Sequence, residues 1–465
     1  MRDNGPVKIG VVPIKRATTR METALEQKQL ILQRLKQIVP KEAVTVDMET
    51  VLPEGLLYEH AQVAQVEQAL KRQQVDALFV PHCDFGCEEV VGQIAKRMNV
   101  PVLLWGNRDP YPDYPGGKDR DTQCGTLASS KSLQRFGVPF SYILNSEVDG
   151  PRLKKGFEDF CAVANVVRRF RGMRILLAGG RPQAFYSVIY NEDELLRKFG
   201  IEVYPWGSAD MLEASDRILQ TRGEEVDSAV AAFAKTVDVS ELALDRQRRQ
   251  AALIMAIEEM VENYDIDGVA MECWSLLPQR YGISGCQIIG QLCQKGIPTA
   301  CEGDILGAVT AVMMQAATLD REPIFFSDIT SRHPEWDNVE LLWHCGPYPP
   351  SLAHPDTPPK STFHGRGAFQ LKNGPITIAR FDMLNGVYSL FSGQGRGIDG
   401  PPKKGNYVWL EVDCWEDWEE KIIFGPYIHH VAGAYGNYSQ ILSEACKYLG
   451  GVNADPMRPV KKMLG

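Results

Sequence analysis

Short apolar, β-branched runs alternate with longer amphipathic stretches along this chain, and that alternation begins twice. KIGVVPI (8–14) reads as a strand, 21–39 as a helix, AVTVDMET as a second strand and 61–73 as another helix. DALFVPHCDFGCEEVVGQIAKRMNVPVLLWG then runs strand, loop, helix, strand. Repeated βα units of this kind require a parallel sheet covered on both faces. After a helical segment rich in Lys and Arg near 155–170, the grammar restarts with RILLAGGRPQAFYS and IEVYPW. A long helical stretch over 224–263, the strand DGVAMECW and a helix near 284–295 follow. From about 336 Pro, Gly and alternating strands dominate, as in GAFQLKNGPITIARFDMLNGVYSLFSG and NYVWLEVDCW, the pattern of antiparallel sheet or barrel. The sequence therefore predicts two doubly wound, flavodoxin/Rossmann-like α/β domains, 1–165 and 166–335, then a β-rich, barrel-like C-terminal domain, 336–465. A last helix is expected after His430, in SQILSEACKYLGG.

A length of 465 residues agrees with about three domains. With 50 Lys+Arg against 59 Asp+Glu, the net charge of −9 excludes nonspecific nucleic-acid binding, which needs a concentrated basic surface. A local basic pocket for a small anion stays allowed. No apolar window is long enough to span a membrane and the first residues carry no secretory apolar core, so a cytoplasmic location is expected. The 11 Cys are scattered, with three residues between Cys83 and Cys87, and read as buried thiols, not a disulfide framework or zinc ribbon.

Gly395, Gly397 and Gly400 formally make a GxGxxG, but Pro401 and Pro402 follow where a phosphate-binding helix would have to begin. P-loop, GxSxG and HExxH signatures are missing. The loops PHCDFGC and GGRPQ each follow a predicted strand, where open α/β sheets bind ligands. Two acidic residues have apolar surroundings: Glu302 in GIPTACEGDILGAVTAVMMQAATL, at the start of an apolar helix, and Asp328 in EPIFFSDIT, at the end of an apolar strand. Buried carboxylates must be paired, hydrogen-bonded or on a metal; a capping role for Glu302 and a turn cap for Asp328 are the structural alternatives. His344 ends the next predicted strand. Carboxylates with imidazoles form a mixed O/N site that favours Mn²⁺ or a similar divalent ion; the neighbouring Cys301 and Cys345 leave zinc open.

The ordered set Glu302, Asp328, His344 and His430 resembles that of the L-fucose isomerase and L-arabinose isomerase superfamily. Over Thr299 to Asp328 the likeness is to the fucose isomerase segment in which a metal-binding Glu, two residues before an Asp, opens a helix and a metal-binding Asp follows; WHCG resembles the H-x-G of arabinose isomerases, and HHVAGAYG the segment with the final metal-binding His. The resemblance spans the chain, since these enzymes also have two α/β domains followed by a β-rich one.

It implies aldose–ketose isomerisation of an open-chain sugar through a cis-enediolate, with Mn²⁺ or another divalent ion such as Co²⁺, Mg²⁺ or Zn²⁺ held by Glu302, Asp328, His430 and His344. By the same resemblance Glu302 is the base at C2 and Asp328 its acid/base partner, or the reverse, and His344 is a metal ligand or a hydrogen-bond donor to the sugar. Residues that would read the rest of the sugar are Arg16, His82, Arg181, Gln183, Trp274, Gln279 and His429. A homo-oligomer with the site near a subunit interface is also implied. Rival readings are the same chemistry on an anionic hexose such as sulfoquinovose, a sugar-binding or regulatory protein, and a thiol enzyme using Cys301 or Cys345.

Overall fold

The computed structural model describes residues 5–110 and 120–465. They form two compact units, one of residues 5–168 with 460–465 and one of residues 169–459.

In the first unit β1 (Val7–Val11), β2 (Ala43–Val46), β3 (Ala77–His82), β4 (Val102–Gly106) and β5 (Ser141–Tyr142) make a parallel sheet of order β2-β1-β3-β4-β5. Every residue of β3 and β4 is buried, which is why these runs show no polar alternation. Helices Val63–Gln73 and Glu88–Met98 turn apolar faces onto the sheet, with Val66, Leu70, Val91 and Ile94 in one core with Leu78 and Leu104. The segment 460–465 returns here: Leu464 is wholly buried and its N–H donates to Tyr142 O at 2.9 Å.

The second unit joins a parallel sheet to a barrel. Strands β6 (Arg174–Ala178), β7 (Glu202–Trp206), β8 (Gly268–Met271) and β9 (Thr299–Cys301) run in the order β7-β6-β8-β9. Next come β10 (Phe325–Arg332), β11 (Val339–His344), β12 (Lys360–Ser361), β13 (Gly367–Gln370), β14 (Gly374–Leu384), β15 (Val387–Ile398), β16 (Asn406–Glu411), β17 (His430–Tyr435) and β18 (Val452–Pro456). Six of them close as β16-β11-β10-β17-β14-β15 and back to β16, around Phe325, Leu342, Ile378, Phe391, Val408 and Val431. The Gly395/Gly397 pattern is used in this closure: a Cβ on Gly395 would lie 2.6 Å from Glu411 O across the β15–β16 seam. Helix Ile305–Ala317 is buried along its whole length because it packs against β8 and β9 on one side and β14 and β17 on the other.

The fold class expected from the sequence is observed. Two element readings change. The stretch 224–263 is two helices, Gly223–Ala234 and Leu244–Asn263, because the chain between them leaves helical geometry to bridge β12, with Asp238 N–H on Pro359 O and Ser361 N–H on Asp238 O. VAGAY, to which the sequence pattern assigns no element, lies in the barrel strand β17, whose small residues let it lie between β10 and β14. All eleven cysteines are free thiols; seven are buried, Cys87, Cys345 and Cys414 are partly exposed, and Cys124 is exposed. Among the described residues, no helix is long and apolar enough to cross a membrane.

Candidate active site

The carboxyl ends of β6, β8 and β9 carry three turns that meet. Glu302 and Gly303 both adopt left-handed backbone, φ 55° and 63°. Gly303 has no room for a side chain, since its Cβ would sit 2.3 Å from Gly180 O in the loop after β6. A non-glycine residue in that conformation is strained, and strain of this kind is kept where function needs a side chain aimed. The capping role does not fall to Glu302: Asp304 is the N-cap of helix Ile305–Ala317, its Oδ1 accepting the Gly307 N–H at 2.9 Å. Glu302 is thereby left to point away from the helix.

The barrel supplies the facing side chains. Asp328 lies within β10, whose hydrogen bonding continues through the exposed residues to Arg332, so the strand does not end at the carboxylate. It is register-paired with His430 on β17, which puts the two side chains on one face. His344 closes β11, one residue past Trp343, the partner of Asp328 on its other side.

Around these positions, His430 Nε2 is 3.0 Å from Glu302 Oε2, though misaligned for a hydrogen bond, and 3.5 Å from Asp328 Oδ1. His344 Nε2 is 3.9 Å from Glu302 Oε2 and 3.8 Å from Asp328 Oδ1. All four atoms are buried and without a hydrogen-bond partner. Four convergent orphans of this kind call for an occupant. Ligands about 2.1 Å from one divalent ion stand roughly 3–3.5 Å from each other, so the set fits such an ion. Of the two imidazoles, His430 lies nearer both carboxylates.

The two imidazoles are oriented differently. Asp304 Oδ2 is 2.9 Å from His430 Nδ1, and its carboxylate is held from behind by Arg380, wholly buried, which also donates to Asp382 at 2.8 Å. Burial opposes the Asp304 charge, but Arg380 and His430 outweigh it and keep the carboxyl well below its usual range. Asp304 accepts the Nδ1 proton, so that in the neutral ring the Nε2 lone pair of His430 faces the orphans. His344 Nδ1 instead accepts the Cys345 N–H at 2.9 Å, which assigns its proton to Nε2. Burial disfavours a cation at either ring, yet the carboxylates prevail: His430 is raised to about 9, chiefly by Asp304 and Glu302, and His344 is raised by Asp328. The pocket is thus negative and prefers positive charge.

Of the sugar-reading candidates, Trp274 reaches the centre: its Nε1–H donates to Glu302 Oε1 at 3.0 Å while half of the residue stays exposed. His429 stacks edge-on with His430, centroids 4.5 Å apart. Arg181 spends one Nη on the carbonyls of Pro182, Gln183 and Phe185 and so fastens its own loop. Gln183 and Gln279 are exposed. Arg16 and His82 belong to the first unit, where the Arg16 guanidinium lies 4.6 Å over the Phe85 ring and His82 is wholly buried. Four contributors had no role in the sequence reading. Phe185 packs on Trp274, His429 and His430; Glu272 accepts the N–H groups of Trp274 and Ser275 at 2.9 and 2.8 Å and fixes that turn; Asp304 and Arg380 hold His430. Arg380 left a signal, a lone cation within the apolar strand ITIARF.

A buried acid/base cluster under an aromatic rim suits proton transfer on a small polar substrate, and comparison with known proteins gives the class: the chain is an aldose–ketose isomerase. Residues 10–171 match the family described as fucose/sulfoquinovose isomerase, N-terminal domain. Sulfoquinovose isomerase of Priestia aryabhattai is 24% identical over 455 residues, 94% of this chain and 96% of that one. The enzymes of the same description from Alkalicoccus urumqiensis and Clostridium sp. (strain MSTE9) are 24% and 26% identical, covering 70% and 60% of this chain and 74% and 61% of theirs. A periplasmic solute-binding protein of Actinobacillus succinogenes 130z with bound D-allose, 12% identical, covers 68% of this chain and 92% of its own at a TM-score of 0.16, too low to bear on the fold. In its N-terminal third and along most of its length the chain is similar to the fucose isomerase-like sugar isomerases.

Proposed function

We propose that the chain interconverts the aldose and ketose forms of an anionic, sulfonated hexose, sulfoquinovose, with Glu302 and Asp328 as the acid/base pair. The observation that carries the chemistry is the set of four buried, unpartnered atoms on Glu302, Asp328, His344 and His430. The substrate class rests on the sulfoquinovose isomerases that align over most of the chain.

Glu302, Asp328 and His430 would hold a divalent ion, Mn²⁺ by the preference of mixed oxygen and imidazole donors. Such an ion, when bound, polarises the carbonyl and offsets the charge that develops on O1 and O2. Glu302, aimed by its strained turn and by the Trp274 N–H, takes the proton from C2. The cis-enediolate so formed is reprotonated at C1, with Asp328 as acid/base partner. His344, whose proton is on Nε2, donates a hydrogen bond to a sugar oxygen and serves as donor rather than ligand. Phe185, Trp274 and His429 cover the apolar face of the sugar and keep bulk water from the enediolate. Arg16 and His82 enter this reading only through the family resemblance, as residues of a neighbouring subunit in a homo-oligomer.

The test is an isomerase assay on sulfoquinovose beside fucose, arabinose and unsulfonated glucose. Turnover of the neutral sugars with none of sulfoquinovose would sink the substrate assignment. Glu302→Gln should lower kcat by about 10³-fold with an unchanged circular dichroism spectrum; a variant that keeps most of its rate removes Glu302 from the mechanism.

A further inference from the structure

Isomerisation is redox-neutral and uses no thiol, yet four cysteines are gathered against the site. Cys301 precedes Glu302 and Cys345 follows His344 in the chain. Sγ of Cys286 is 2.9 Å from Sγ of Cys345, and Sγ of Cys273 is 2.9 Å from Sγ of Cys301. Cys273 also contacts Cys286, so the four thiols form one connected row. The four come from separate elements: Cys301 ends β9, Cys286 opens a helix, and Cys273 and Cys345 lie just after β8 and β11.

Their exposure differs. Cys273, Cys286 and Cys301 are buried, and Cys345 is partly exposed, so a solute meets Cys345 first. Cys286 is the first residue of helix Cys286–Gln294, and its sulfur accepts a hydrogen bond from Ser284 Oγ at 3.2 Å. A helix N-terminus and a hydroxyl donor both favour the thiolate, the attacking form. Cys345 is bound to the catalytic centre through its neighbour: its N–H holds His344 Nδ1 at 2.9 Å, and its Sγ lies 3.3 Å from the same nitrogen.

We propose that Cys345 and Cys286 are a peroxide-sensing pair whose reversible disulfide switches the isomerase off. A hydroperoxide ROOH supplies the oxidising equivalents. The Cys345 sulfur attacks it, the O–O bond breaks, and Cys345 becomes a sulfenic acid as ROH leaves. The Cys286 thiolate then attacks that sulfur, the S–O bond breaks, the hydroxide that leaves takes a proton from solvent to become water, and the S–S bond forms. Two electrons pass from the thiol pair to the peroxide. The disulfide turns the Cys345 sulfur away from His344 and shifts the peptide that fixes the imidazole. A shift of this size at a catalytic group lowers turnover by about 10²-fold. A dithiol reductant restores both thiols and the rate.

The switch rests on the isomerase reading; the disulfide does not. The full-length protein, reduced and then exposed to hydrogen peroxide, should yield, on mapping without reductant, one linked peptide pair carrying Cys286 and Cys345, lighter by two hydrogens. Turnover should fall and return with tris(2-carboxyethyl)phosphine. Cys286→Ala should turn over sugar normally before treatment and lose the reductant-reversible component; Cys286→Ser serves if alanine disturbs folding. Linkage of any other cysteines, or a Cys286 variant inactivated and rescued like the native chain, overturns the proposal. A Cys286–Cys345 disulfide with unaltered turnover overturns the switch. Untreated protein inert toward every aldose would instead defeat the isomerase reading, with the linked peptides still read by mass.

Discussion

Asp304 serves the helix and the site with one carboxylate: Oδ1 caps helix Ile305–Ala317 and Oδ2 holds His430, while Arg380 neutralises the charge. The two duties can be separated. Asn caps a helix as well as Asp does, so Asp304→Asn should retain the helix yet weaken divalent metal binding by about 10–100-fold, as loss of a partner to a ligating histidine does. Asp304→Ala should also lose about 1 kcal/mol of cap stability, beyond the roughly 3 kcal/mol that either variant loses by leaving buried Arg380 without this carboxylate. Calorimetric metal titration beside urea unfolding checks both, and equal metal affinity in native and Asn variants would remove Asp304 from the positioning role. Glu302 shows the converse. Glycine fits φ 55° without strain, so Glu302→Gly should be inactive and melt no lower than the native chain; a clear loss of melting temperature would mean the Trp274 bond outweighs the strain. At this scale the sequence was most informative where a charge had apolar neighbours: Glu302 and Asp328 were legible for that reason. Asp304 was hidden by its adjacency to Glu302, and nothing in the spacing of Phe185 or Glu272 announced that their turns converge on the same pocket.

Strand β11 carries a buried carboxylate of its own. Glu340 is 3% exposed with Oε2 unpartnered, and burial, relieved by Arg332 and reinforced by Glu419, lifts its carboxyl to about 7. In the unfolded chain it titrates near 4.3. Between those values the folded state binds more protons than the unfolded state, so stability falls as pH rises from about 4.3 to 7 and is level above. Glu340→Gln should abolish that fall and stabilise the protein at pH 8 by about 3–4 kcal/mol, with little change at pH 4. Urea unfolding at both values measures it, and identical pH profiles would show that Glu340 is ionised in the fold at no cost. Elements with an uninterrupted apolar run were easy to read, among them β3, β4 and helix Ile305–Ala317. The break between Ala234 and Leu244 was not, because the residues that end the helical path do so by bridging a strand over a hundred positions later. β17 was missed because Gly and Ala in VAGAY have low strand propensity; its barrel neighbours, not its own residues, make it a strand.

At the scale of the whole molecule, the chain divides at Arg169 into two compact units. The sequence held no sign that 460–465 belong with the first unit, since one buried leucine in a short polar tail has no period to read. Leu464→Ala should cost that unit about 2–3 kcal/mol. Hydrogen exchange should then rise in β5 and in the neighbouring helix Pro151–Phe170 and leave the barrel strands β10, β11 and β17 protected. Uniform loss of protection over both units would show that they unfold as one.

The return of 460–465 also fixes an order in time. A ribosome emits β1 to β5 early, yet the strip that covers Tyr142 and Ile143 is made only after the sheet and barrel of the second unit have been threaded through the exit tunnel. During synthesis the first unit therefore waits, nearly built, with that edge open. It closes last although it began first, and for that interval the unfinished edge is where a nascent chain would depend on a chaperone.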